Sequence, residues 1–290
     1  MASVSTQQQQ PKTQSSSVVL AKDFKASGIK FTEPKKRDGK FFVSLLNKES
    51  TFFVESPWLQ APFSISTFQG DNTEGKEVNK KWTLPLSAVA QSEDEKETVK
   101  QFFQELEALD NANCAYLVSH PELAGKAQNG KAKSKAVIEE TMWRVMKKNK
   151  DPQYADRINP TIYSDRGEKN EDGTYTPNPE KPGITVFMSG NSDEQHPETY
   201  EELQNMIPKG SFVKAILSIR EAITPQNAGL TCSAVQLLVK KRMNNKLSGY
   251  AFSDPASSSG TNNENGNTET TVPDAENVPV SEEKADSDHE

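Results

Sequence analysis

The stretches SFVKAILSI (Ser211–Ile219) and CSAVQLLVKK (Cys232–Lys241) decide how this chain is read. Both are rich in β-branched and aliphatic residues and alternate with a period of two, so they predict a pair of strands. With Ala228-Gly229-Leu230 between them, they read as a closing hairpin. The alternation predicts Lys214, Ser218 and Arg220 together on one face of the first strand. In the second it predicts Gln236, Lys240 and Arg242 opposite Val235, Leu237 and Val239. Such a hairpin turns an apolar face inward and a cationic, hydroxyl-bearing face outward.

Upstream, FFVSLL (Phe41–Leu46) and TFFVE (Thr51–Glu55), parted by Asn47 to Ser50, predict a second hairpin. Pro57 and Pro62 bracket Trp58 and exclude a central strand there. Ser64–Phe68 and Lys81–Leu86, the latter carrying Trp82, read as extended segments either side of a polar loop. Ser92 with Glu95 makes a capping-box pattern, and Val99, Phe102, Phe103, Leu106 and Leu109 mark the apolar face of a helix from about Glu93 to Leu109. A second helical piece reaches Tyr116 and Val118. Ile138, Met142, Val145 and Met146 predict a further helix over Lys135–Lys148, with Trp143 about 100° round from Met142, beside Arg144 and Lys147. Thr161–Asp165 and Ile184–Met188 read as strands joined by a polar insertion, and Thr199 with Glu202 opens a short helix before Pro208. The fold class is therefore mainly β, a small closed or nearly closed sheet with helices inserted at about residues 92–150.

The hydrophobic fraction is 33%, too low for the whole chain to offset roughly 1–2 kcal/mol of backbone entropy per residue. Residues 1–17 are Gln/Ser-rich and read as a disordered arm. Residues 251–290 read as a disordered tail, leaving one domain over 18–250. The tail holds ten acidic groups against Lys284. Removing it from the chain totals of 34 Lys+Arg and 41 Asp+Glu leaves 33 against 31. The net charge of -7 thus hides a body of +2 and a tail of -9, an asymmetry that fits either a nucleic-acid binder with an acidic arm or a solubilising tail.

No stretch approaches the roughly 20 apolar residues of a membrane helix, and no secretory signal is read at the start. Two cysteines, Cys114 and Cys232, point to a reduced, intracellular compartment: cytosol, nucleus or a viral factory. His120, His196 and His289 give no zinc spacing with them. With no phosphate-binding glycine loop, no nucleophile elbow and only scattered carboxylates, neither catalysis nor a metal nor any other cofactor is expected.

Cations lie beside aromatic residues in three places. Lys35-Lys36-Arg37-Asp38-Gly39-Lys40 leads into Phe41-Phe42; the predicted helix carries Trp143, Arg144, Lys147 and Lys148; the late strands carry Lys214, Arg220, Lys240 and Arg242. Trp58, Trp82, Tyr163 and Arg166 complete the candidate nucleic-acid-binding set. A single strand of nucleic acid needs this mixture, cations for phosphates and rings on which bases stack at about 1–3 kcal/mol each. Phe41, Phe102, Phe103 and Phe212 are instead expected in the core.

Three stretches resemble the single-stranded-DNA-binding proteins of large cytoplasmic DNA viruses and certain tailed phages. They are Phe52 to Leu59 with Ala61-Pro62-Phe63, then Tyr200-Glu201-Glu202-Leu203 through Ile207-Pro208-Lys209-Gly210-Ser211, and finally Val213 to Ile223 followed by Ala228 to Leu230 and Val235 to Leu237. The resemblance spans roughly residues 40–245. It implies an oligonucleotide/oligosaccharide-binding (OB) barrel of Greek-key type with helical insertions, and non-sequence-specific binding of single-stranded DNA in support of replication, recombination or repair. It further implies that the tail, with Glu282, Glu283, Asp286, Asp288 and Glu290, competes with DNA for the groove or contacts polymerase, helicase or primase; a homodimer is compatible with it. A scaffold or minor virion protein without nucleic-acid activity is the alternative reading.

Overall fold

In the computed structural model, residues 18–37, 40–68, 81–126, 131–167, 170, 173–176 and 178–241 are described. Among these residues the central sheet has 14 strands, including β1 (Phe53–Glu55), β2 (Leu59–Gln60), β3 (Lys81–Thr83), β4 (Leu86–Ser87), β5 (Thr161–Asp165), β6 (Thr185–Met188), β7 (Phe212–Ile223) and β8 (Ala228–Lys240). Three helices accompany it among the described residues: α1 (Lys96–Ser119), α2 (Lys135–Thr141) and α3 (Tyr200–Met206).

β7 and β8 form the expected hairpin, antiparallel from Phe212↔Lys240 to Ile223↔Ala228. Val213, Ala215, Leu217 and Ile219 are buried along one side of β7. The register shifts where Ile216 faces Gln236 and Leu217 faces Ala234, so Val235 is an extra residue in β8. This bulge switches the buried positions of β8 from Leu237 and Val239 to Leu230, Cys232 and Ala234. The expectation that Val235 shares the apolar face of Leu237 is thereby corrected; it is exposed.

Around this hairpin the sheet curls strongly. Lys81 faces Tyr163, Thr83 faces Thr161, the Leu84 N–H donates to the Pro160 carbonyl, and Leu86 and Ser87 face Ile158 and Arg157, all in one register. One end of this bent ribbon, β5, lies parallel to β8 at Thr161↔Ser233, while the other end, β4, pairs with β2, which pairs with β7. The ribbon therefore starts on one side of the hairpin and finishes on the other. Only Leu84 and Pro85 separate β3 from β4, three Cα steps spanning at most about 10 Å, so a flat sheet is excluded. Leu59, Trp82, Leu84, Leu86, Ile162, Val213 and Leu237 fill the interior. α1 adds Val99, Phe102, Phe103, Leu106 and Leu109 to the same core. Phe24 stacks on Phe52 at 5.5 Å and lies 5.9 Å from Phe102, tying the segment after Val18–Val19 to both layers.

Several local expectations change. The two helical pieces before residue 119 are one helix of 24 residues, α1. It is preceded by a 3-10 turn at Glu93–Glu95 that the Ser92 side chain does not cap. The Thr199 hydroxyl does accept from the Glu202 N–H, at 3.2 Å, as a capping box requires. The helix expected over Lys135–Lys148 ends at Thr141, because later backbone groups find long-range partners. Trp143 N–H donates to the Ala228 carbonyl, Leu230 N–H donates to the Trp143 carbonyl, and the N–H groups of Val145 and Met146 donate to the Asp110 carboxylate at 2.9 and 3.0 Å. FFVSLL also divides: Lys40–Phe42 pairs with Lys35–Arg37, whereas Leu45–Asn47 pairs with Ser50–Thr51 around a two-residue turn in which Lys48 and Glu49 have φ of 48° and 74°. The insertion after β5 contributes a strand, Asn178–Pro182, paired to β5. The N-terminal arm, Arg242 and the acidic tail lie outside the described residues.

Candidate nucleic-acid interface

The pleat of β7 turns Lys214, Ile216 and Arg220 away from the core, with Ser218 on the same side but itself buried. Register carries this face sideways. Ser218 and Ile216 stand beside Phe53 and Glu55 of β1, and Arg220 stands beside Thr231 of β8. Across β8, Leu238 stands beside Phe187 of β6, and Ser233 beside Thr161 of β5. Tyr163 and Lys81 are a directly opposed pair on β5 and β3.

Two hollows lie along this face. A small one of about 180 Å³ is lined by Glu55, Phe187, Lys214, Ile216, Gln236 and Leu238. Over it Lys214 Nζ lies 3.3 Å from Glu55 Oε1 and 5.6 Å from the centroid of the Trp58 ring. A larger groove of about 750 Å³ runs between Tyr163, Arg166 and Tyr175 on one side and Ser218, Arg220, Thr231 and Ser233 on the other. Tyr163 and Tyr175 are 46% and 50% exposed, an orientation open to stacking. Lys81 Nζ sits 5.7 Å from the Tyr163 ring centroid. Arg220 Nε donates to Ser218 Oγ at 3.0 Å, which directs the guanidinium along the strand. Lys214 and Arg220 are six residues apart on β7, about 20 Å of strand. The face thus alternates cations with exposed or half-exposed rings, tempered by Glu55 and by Asp165, which also lines the larger groove.

Not all candidate residues gather here. Trp82 is 1% exposed and stacks at 6.5 Å on Tyr200; contrary to expectation it is a core residue, which no base can reach. Trp143 is half-buried and bridges to Gly229. Arg144 donates to Asn111 Oδ1 at 3.3 Å and to the Glu139 carbonyl at 3.4 Å, Lys148 pairs with Glu107, and Lys147 is exposed nearby. Their partners lie on α1 and α2, not on the sheet face. Lys40 is exposed beside Phe41 in a separate hollow of about 590 Å³ at the tip of the long hairpin, with Lys126, Ile223 and Pro225. Lys240 is exposed at the end of β8, opposite Phe212. Phe102 and Phe103 are core as expected, whereas Phe41 and Phe212 are only half-buried. Lys81, Tyr175 and Glu55 join the site without having been singled out. Lys81 had a signal: a strand with Trp82 inside must turn its neighbours outward.

Buried titratable groups lie elsewhere. Burial raises the Asp110 carboxyl despite the opposing pull of two backbone N–H donors. Burial pushes the Cys232 thiol up to about 12, and both cysteines are free and buried. Burial likewise pushes Glu221 up to about 8; the Asn113 amide pulls it back in part, without a hydrogen bond of ordinary geometry between them. Among the described residues no three His, Cys, Asp or Glu side chains gather as a metal site, and no helix is long and apolar enough to cross a membrane.

No protein-family model and no curated protein matches the chain. Its structure is similar to that of a single-stranded DNA-binding protein encoded by bacteriophage T7, at 11% identity and a TM-score of 0.39, over 68% of this chain and 98% of the other. It is also similar to the single-stranded DNA-binding protein of bacteriophage Enc34 in complex with single-stranded DNA. There the identity is 12% and the TM-score 0.36, over 73% of this chain and 96% of the other.

Proposed function

We propose that this chain binds single-stranded DNA, without reading base sequence, along the outer face of an OB-like barrel, within a single domain spanning residues 18–250. The observation that carries the reading is the pairing of cations with accessible rings on one face: Lys214 over Trp58, Lys81 over Tyr163, and Arg220 across the groove from Tyr175. Cations attract phosphates, and a single strand can offer its base faces to the rings, which a stacked duplex cannot. Ring stacking accepts any base, so little sequence preference is expected. A binder of this type supports replication, recombination or repair by protecting and presenting the strand. The tail, with its charge of -9, competes with DNA for the cationic face and offers its carboxylates to polymerase, helicase or primase.

A salt titration of binding to single-stranded DNA, duplex DNA and single-stranded RNA tests this, with the full chain and with residues 251–290 removed. Tight, salt-sensitive binding of the single strand, stronger without the tail, is the expected outcome. Failure of both proteins to bind single-stranded DNA at low salt refutes the reading. An affinity unchanged by truncation refutes the tail's competitive role alone.

A further inference from the structure

We propose that Glu55 is a built-in competitor for DNA phosphate at Lys214, weakening the groove's hold so that a bound strand is released more readily. The inference rests on the single-stranded-DNA reading and deepens it. Lys214 and Glu55 come from chain segments 159 residues apart, brought together because Glu55 of β1 stands opposite Ile216 of β7. Both side chains are about 30% exposed, at 31% and 30%, so solvent screens their attraction less than that of a fully exposed pair. Two other cations of the face are held differently. Arg220 donates to the neutral Ser218 hydroxyl and Lys81 lies over the Tyr163 ring, and neither contact cancels charge.

A phosphate arriving at Lys214 therefore meets a cation that already has an anionic partner. It must either displace the carboxylate or bind within the field of a like charge, and both weaken the contact. The same geometry could serve only to aim Lys214 over Trp58. The two roles predict opposite signs: removing the charge of a competitor strengthens DNA binding, whereas removing an aiming group weakens it.

The test is equilibrium and stopped-flow binding of an oligo-dT strand by the full chain across a salt series, comparing wild type with Glu55→Gln, Lys214→Ala and the double variant. Glu55→Gln is expected to bind about three- to tenfold tighter at low salt, mainly through slower dissociation, with log K falling more steeply against log salt by about 0.7, the value of one additional phosphate contact on a single strand. Lys214→Ala and the double variant are expected to differ less than wild type and Glu55→Gln do, because the carboxylate no longer has Lys214 to compete for and only its weaker, screened repulsion of the strand remains. Unchanged or weaker binding by Glu55→Gln overturns the proposal while the wild type's own binding upholds the wider reading. Absence of binding by both wild type and Glu55→Gln overturns the wider reading and this inference with it.

Discussion

Glu221 turns its carboxyl inward beside Asn113 of α1, without a hydrogen bond of ordinary geometry to it. Its raised value of about 8 means that the folded chain holds a proton which the unfolded chain, with an ordinary value of 4.5, has released at neutral pH. Stability therefore falls as pH rises from about 4.5 to about 8. Glu221→Gln keeps the shape and removes the titration, so urea midpoints measured at pH 5 and pH 8.5 should differ less in the variant than in the wild type. An equal pH dependence in both would contradict the assignment. Single residues also mark the limit of what sequence conveys. Trp58 and Trp82 look equivalent as aromatic residues near cations, yet Trp82 is sealed in the core and Trp58 lies under Lys214. Period-two alternation could separate Lys81 from Trp82, but nothing local tells which side of an extended segment becomes the inside.

At the scale of elements, local pattern located the strands well and misjudged where helices end. The late hairpin was legible because its alternation is long, although the bulge at Val235 depends on pairing across to Ile216 and Leu217. The helix expected over Lys135–Lys148 stops at Thr141 because the backbone leaves the helix to meet β8, although the apolar spacing continues. That meeting is tight. Gly229 has φ of +153°, and a Cβ there would stand 2.3 Å from the Trp143 carbonyl oxygen and 2.4 Å from its nitrogen. Both are backbone atoms and cannot swing aside, so Gly229→Ala should destabilise the fold by about 2 kcal/mol, read as a lower denaturant midpoint. An unaltered midpoint would show that the bridge contributes little.

For the whole molecule, the segregated charge and the mainly β class were open to inspection of the sequence, and the assembled site was not. Lys81, Tyr163 and Arg220 share a face only because the ribbon of β3 and β5 wraps round the long hairpin, and that closure is written in pairings between residues some 80 positions apart, as at Lys81↔Tyr163. The sequence also advanced the cations near Trp143, which the fold directs to the acidic and amide groups of α1. The two groups of cations separate in one measurement, equilibrium binding of an oligo-dT strand at low salt by wild type, Lys81→Ala/Arg220→Ala and Lys147→Ala/Lys148→Ala. Loss of at least about tenfold by the first variant, with the salt slope shallower by about 1.4 for two lost phosphate contacts, and little change in the second, is the predicted result. Retained affinity in Lys81→Ala/Arg220→Ala together with a loss in Lys147→Ala/Lys148→Ala would contradict the sheet face as the DNA-binding surface.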